Sequence, residues 1–99
     1  MSVTFRVWCP SNGNKIRGDL EFDLEDFFGA AGMISGGGGW PGGFDVDVDV
    51  AEEMGWEARV APLKQFLRES DYPMGIYIEV FSPDWEEGQA VPKFNVFGE

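Results

Sequence analysis

The run Phe44-Asp45-Val46-Asp47-Val48-Asp49-Val50 alternates apolar and acidic residues without exception. In an extended strand successive side chains point to opposite faces. Phe44, Val46, Val48 and Val50 then line one side, made for a core. Asp45, Asp47 and Asp49 line the other, made for water or a cationic partner, so the spacing predicts buried Val46 and Val48 beside accessible Asp45 and Asp47. Aspartates on one strand face stand about 6.6 Å apart, and each neighbouring pair repels by roughly 0.6 kcal/mol in water. That cost is tolerable, but it calls for a compensating partner.

The rest of the chain makes a compact acidic domain the natural setting for this strand. Eighteen carboxylates against seven basic side chains give a net charge of -11. Nine Phe, four Trp and two Tyr argue against an acidic disordered tail, which is poor in aromatics. We expect one domain over residues 1–99, a length that can bury a single core without disulfides or metal. Its potential repels nucleic acid phosphates and anionic membranes and draws cationic partners inward. Cys9 is the only cysteine, so an internal disulfide is impossible. No apolar run approaches the length of a membrane span, and no apolar leader core follows Met1; a cytoplasmic location is expected.

Periodicity assigns the elements. Val3, Phe5, Val7 and Cys9 alternate with Thr4, Arg6 and Trp8 as a first strand with one apolar face, closed by a turn at Pro10-Ser11-Asn12-Gly13. Ile16, Leu20 and Phe22 among Arg17, Asp19 and Glu21 read as a second strand, with Gly18 at a bulge. Asp23 reads as the N-cap of a first helix carrying Leu24, Phe27, Phe28 and Ala31. The glycine-rich stretch from Ile34 to Gly43 reads as a loop. After the acidic strand, Leu63, Phe66 and Leu67 predict a second helix from about Ala61 to Ser70, with Pro62 in its first turn. Met74 to Phe81 and Lys93 to Phe97 supply the last strands. The order ββαβαββ predicts an α+β fold, a mainly antiparallel sheet of about five strands with two helices on one face.

Catalytic readings are thin. Histidine, the usual general base and the commonest metal ligand, is missing from the sequence. Cys9, on the apolar face of a strand, is expected in the core. Gly37-x-Gly39-x-x-Gly42 has the spacing of a dinucleotide fingerprint but runs into a strand where that motif needs a helix. The alternating aspartates resemble the opening of a calcium loop, yet starting at Asp45 puts Val50 and Trp56 where glycine and glutamate are required. No cofactor and no metal site are expected.

Two readings of the acidic face compete. In one, the aspartates pair with Arg6, Arg17 or Lys93 across the sheet and the face is only solvated. In the other, Asp45, Asp47, Asp49, Glu52 and Glu53, with Asp84, Trp85, Glu86 and Glu87 and an exposed Trp40, form a docking surface for a basic protein. In size and charge alone the chain resembles the acidic immunity proteins of bacterial nuclease toxins and the DNA-mimicking inhibitors of phages. That likeness implies a non-catalytic inhibitor of a toxin or defence-system nuclease, and it carries over no residue. A small interaction or regulatory domain, or a divalent-cation-binding module, is the alternative.

Overall fold

The computed structural model describes residues 3–51, 55–82, 85 and 90–97. Strand β1 (Val3–Pro10) is followed by helix α1 (Arg17–Phe28), a 3-10 turn at Gly29–Ala31, and strands β2 (Gly32–Trp40) and β3 (Gly43–Val50). A second 3-10 turn, Trp56–Arg59, leads into helix α2 (Val60–Glu69), then strands β4 (Tyr77–Phe81) and β5 (Lys93–Asn95). The strands form one sheet in the order β2-β3-β1-β4-β5, and every neighbouring pair is antiparallel. The fold is therefore α+β with a five-stranded antiparallel sheet and two helices.

Alternation decides the faces as expected. Val3, Phe5, Val7 and Cys9 on β1 are fully buried, as are Val46 and Val50 on β3, and Val48 is 1% exposed. Leu20, Leu24 and Phe28 from α1 and Val60, Leu63 and Leu67 from α2 join the same core. The ring of Phe28 lies 5.3 Å from Phe5, and Phe27 lies 5.2 Å from Phe66, so an aromatic pair links the two helices. Pro62 falls in the first turn of α2, where its missing N–H costs nothing.

Two elements differ from the sequence-based expectation. Of residues 16–22, expected as a strand, Ile16 is the N-cap of α1 and the rest belong to it, so the order is βαββαββ. Leu20, Leu24 and Phe28 stand four residues apart and make the buried helical stripe, while Ile16 and Phe22, which a strand would have turned inward, are 66% and 70% exposed. The helix begins at Arg17 with Ile16 as its N-cap rather than after Asp23: Asp19 Oδ2, in the first turn, accepts the Ile16 N–H at 2.9 Å, and Asp23 instead accepts the Tyr72 hydroxyl at 2.6 Å.

The second difference is the glycine stretch, expected as a loop, which is strand β2 paired along β3 from Gly32 to Trp40 with a bulge between Ile34 and Gly36. The hydrogen-bonded ladder offsets the entropy that glycine loses in a strand. Gly32 has a packing reason: a Cβ there would lie 2.8 Å from Val48 Cγ1 and 2.9 Å from Phe28 Cβ.

Candidate acidic interface

The sheet register stacks the outward side chains into rows. Across the middle run Gly36, Asp47, Arg6, Glu79 and Lys93; beside them run Gly38, Asp45, Trp8, Tyr77 and Asn95. A third row holds Met33, Asp49, Thr4 and Phe81. Charges of opposite sign are thus placed directly opposite one another in the middle row, the arrangement that stabilises a sheet face.

Each aspartate of β3 has its own partner. Asp47 receives Arg6 in a two-pronged contact, Nε to Oδ1 at 2.8 Å and Nη2 to Oδ2 at 3.0 Å. That hydrogen bond raises the Arg6 pKa above its ordinary value. Asp49 accepts the Thr4 hydroxyl at 2.7 Å and the Ser35 hydroxyl at 3.2 Å. Asp45 accepts the Gly38 N–H at 2.9 Å and the Trp40 Nε1–H at 3.3 Å. Only 7% exposed, Asp45 corrects the expectation of an accessible carboxylate, because β2 folds its glycines and Trp40 over it. Asp47 is half-buried and Asp49 is exposed.

Trp40 ends β2 and remains 57% exposed, with its indole N–H on Asp45. Between it and the sheet lies a shallow cavity of about 210 Å³, lined by Arg6, Gly37, Gly38, Trp40, Asp45 and Asp47. Trp85 packs against the core with its ring 6.2 Å from Trp56. Glu52, Glu53, Asp84, Glu86 and Glu87 lie outside the described residues.

Sequence reasoning missed the acidic face of α1. Phe22 projects from it, with Asp19 three residues before and Glu25 and Asp26 three and four residues after, all exposed. Side chains at these spacings share one helical face. The signal was available in the stripe of Leu20, Leu24 and Phe28, which orients the helix and turns Phe22 outward.

The basic residues do little to neutralise that face. Arg17 pairs with Glu21 at 3.0 Å, but Lys15 lies 4.8 Å over the Tyr72 ring, Lys93 lies 4.2 Å over Tyr77, and Arg68 donates to the Val96 carbonyl at 2.6 Å. Lys93 thereby caps an aromatic pair, Trp8 stacked on Tyr77 at 5.4 Å.

Two protonatable groups sit at the core. Burial pushes the Cys9 thiol up to about 11, and it raises the Tyr72 hydroxyl well above its usual range, helped by the bond to Asp23. Such a thiol is a poor nucleophile. Among the described residues no three His, Cys, Asp or Glu side chains converge as a metal-holding group, and no helix is long and apolar enough to cross a membrane. Comparisons with protein families, curated proteins and solved structures found no match.

Proposed function

We propose that this chain is a non-catalytic, cytoplasmic acidic binding protein that neutralises a basic protein partner. The observation that carries the reading is Phe22, 70% exposed on α1 and bracketed by the exposed carboxylates of Asp19, Glu25 and Asp26. An isolated exposed aromatic is ordinary, but an aromatic ringed by one sign of charge has the form of an interface anchor with a steering surround. A protein that handles nucleic acid offers the complementary site, a basic groove shaped for phosphates, and carboxylates fill such a groove through charge-assisted hydrogen bonds.

The -11 charge supports the same class of partner, because it accelerates encounter with cations and opposes encounter with phosphates. The test is to isolate the binding partner from cells that make the protein, purify it, and titrate the complex at two ionic strengths. A basic partner whose affinity falls at least tenfold between 50 and about 300 mM salt is expected. A neutral or acidic partner, or an affinity indifferent to salt, contradicts the reading.

A further inference from the structure

We propose that the edge strand β2 is itself a docking site, where an extended segment of the basic partner adds as a sixth strand with arginine or lysine at alternate positions. The inference rests on the acidic-binder reading and specifies how part of the partner is held.

The two edges of the sheet are built differently. At one end β5 is three residues long and exposes Lys93, two of the devices by which proteins protect an edge from further pairing. At the other end β2 is nine residues long and has neither charge nor proline between Gly32 and Trp40. Among the described residues no strand pairs with its far side. Its interruptions are the bulge at Ser35 and the positive φ of 147° at Gly37. A strand of this length offers about 30 Å of backbone, enough to template a short partner segment.

Charge selects the occupant. On the outer face β2 places Gly36 opposite Asp47, so no β2 side chain stands between that aspartate and a strand added beyond it, whereas Asp45, opposite Gly38, is covered by the Trp40 ring. The cavity of about 210 Å³ opens at this point. Adjacent strands lie about 4.8 Å apart, so the added strand runs some two spacings from β3, a gap that arginine or lysine side chains lying across the glycines can bridge. Asp45, Asp47 and Asp49 set against Arg6 leave a net charge of 3 − 1 = 2 negative units. Half-buried Asp47 and exposed Asp49 keep acceptor capacity beyond their present bonds, since ionised oxygens offer about four lone-pair sites. The exposed Trp40 ring at the end of the trough gives an incoming cation an aromatic face. A second copy of this chain would instead bring two surfaces of like charge together.

Helix α1 packs under the opposite, apolar face of this edge. Arg17, at the start of that helix, has its Nε 3.2 Å from where a Gly37 Cβ would stand, so the acidic helix begins beneath β2. A partner strand on β2 therefore leaves α1 free for a second part of the partner.

The probe is a synthetic peptide of about eight residues alternating arginine and threonine, titrated into the intact protein at low salt and followed by amide NMR. Three comparison peptides are used: the same composition with the arginines in one block, an alternating glutamine-threonine peptide, and the alternating arginine peptide N-methylated at every second residue. Binding of the alternating arginine peptide at least tenfold tighter than any of the three, with shift changes along Gly32–Trp40 and new amide protection there, supports the proposal. A Cβ at Gly36 would meet only Asp47 Oδ2 at 3.7 Å, and one at Gly38 only the Trp40 ring at 3.8 and 3.9 Å, so Gly36→Ala with Gly38→Ala narrows the trough without breaking the strand. That double variant is expected to lose at least tenfold in peptide affinity while keeping its melting temperature.

Equal binding by the N-methylated or block peptide, with shifts on Asp19 to Asp26, overturns the edge site and leaves the acidic-binder reading standing. Failure of every cationic peptide to bind overturns both. Concentration-dependent dimerisation through β2 identifies a second copy as the occupant and overturns the proposal.

Discussion

Arg6 on β1 holds Asp47 on β3 with both arms of its guanidinium, at 2.8 and 3.0 Å, while the same group lies 4.9 Å over the ring of Phe81. The pair is 41 residues apart in sequence and directly opposite in the sheet register. It joins the two strands whose inner faces build most of the sheet's share of the core. Side-chain exposures of 40% for Arg6 and 16% for Asp47 place it between a solvated ion pair and a buried one.

Its contribution follows from that intermediate position. Asp47→Asn is expected to cost about 1 to 2 kcal/mol, and a double-mutant cycle with Arg6→Gln to give a coupling near 1 kcal/mol. Urea denaturation of the four proteins measures both. A coupling indistinguishable from zero would show that the contact is geometrically close but energetically idle.

Glycines on β2 and β3 separate into two kinds. At Gly43 a Cβ would stand 2.5 Å from the Cys9 carbonyl oxygen and 2.7 Å from Trp8 Cζ2, so Gly43→Ala is expected to destabilise by about 2 kcal/mol or more. Gly39 has open space around it, and Gly39→Ala is expected to change stability by less than about 1 kcal/mol in either direction. Thermal melts that rank the two variants the other way would place these strands wrongly.

Alkaline pH probes the core directly. Cys9 titrates near 9.0 when unfolded and about 11 in the fold, and Tyr72 is likewise raised from 10.0. Both groups are neutral when protonated, and the fold disfavours their anions, so the unfolded chain releases these protons first. Stability from this source is fully present below about pH 9 and falls above it, with Tyr72 adding to the loss above about pH 10, each group contributing about 1.4 kcal/mol per pH unit. A denaturation midpoint that stays constant from pH 8 to 10.5 would contradict the burial of both. Thiol labelling at pH 8 gives an independent readout: Cys9 is expected to react at least a hundredfold more slowly in the fold than in denaturant.

The parts of the fold that were legible in the sequence are those where one periodicity excludes the other. β1 and β3 alternate strictly, and α2 carries Val60, Leu63 and Leu67 at helical spacing, so their buried faces follow from pattern alone. Residues 16–22 satisfy both periods, because Ile16 and Leu20 lie an even number apart and also one helical turn apart. Only the packing of Leu24 and Phe28 against the sheet decides for the helix. The glycines of β2 carry no pattern at all; they are a strand because β3 offers a ladder and Val48 and Phe28 leave no room at Gly32 for a larger residue.

The aspartates of the candidate site were legible as one face, but their partners were not. Thr4, Arg6, Ser35 and Trp40 reach them through register, which sequence spacing does not encode. The more open acidic surface went unread because local pattern divides its carboxylates, giving Asp19 to a strand and Glu25 and Asp26 to a helix that starts at Asp23, whereas one helix carries all three. Replacing Asp45, Asp47 and Asp49 together therefore tests the sheet as much as any interface.

Phe22 separates anchoring from steering. Phe22→Ala removes an exposed ring and is expected to leave the melting temperature within a few degrees of the parent. In the complex it is expected to speed dissociation at least tenfold with little change in the association rate. Surface plasmon resonance against the purified partner resolves the two rates. An unchanged dissociation rate would remove Phe22 from the interface.

The most direct test of acidic neutralisation is the affinity of the purified basic partner for the triple variant Asp19→Asn, Glu25→Gln, Asp26→Asn, measured by calorimetry beside the parent at the same ionic strength. These side chains are exposed, so the variant is expected to fold normally and to bind at least tenfold more weakly, chiefly through slower association. Equal affinity for parent and variant, in a protein with unchanged stability, would contradict the claim that the carboxylates of α1 draw the partner in.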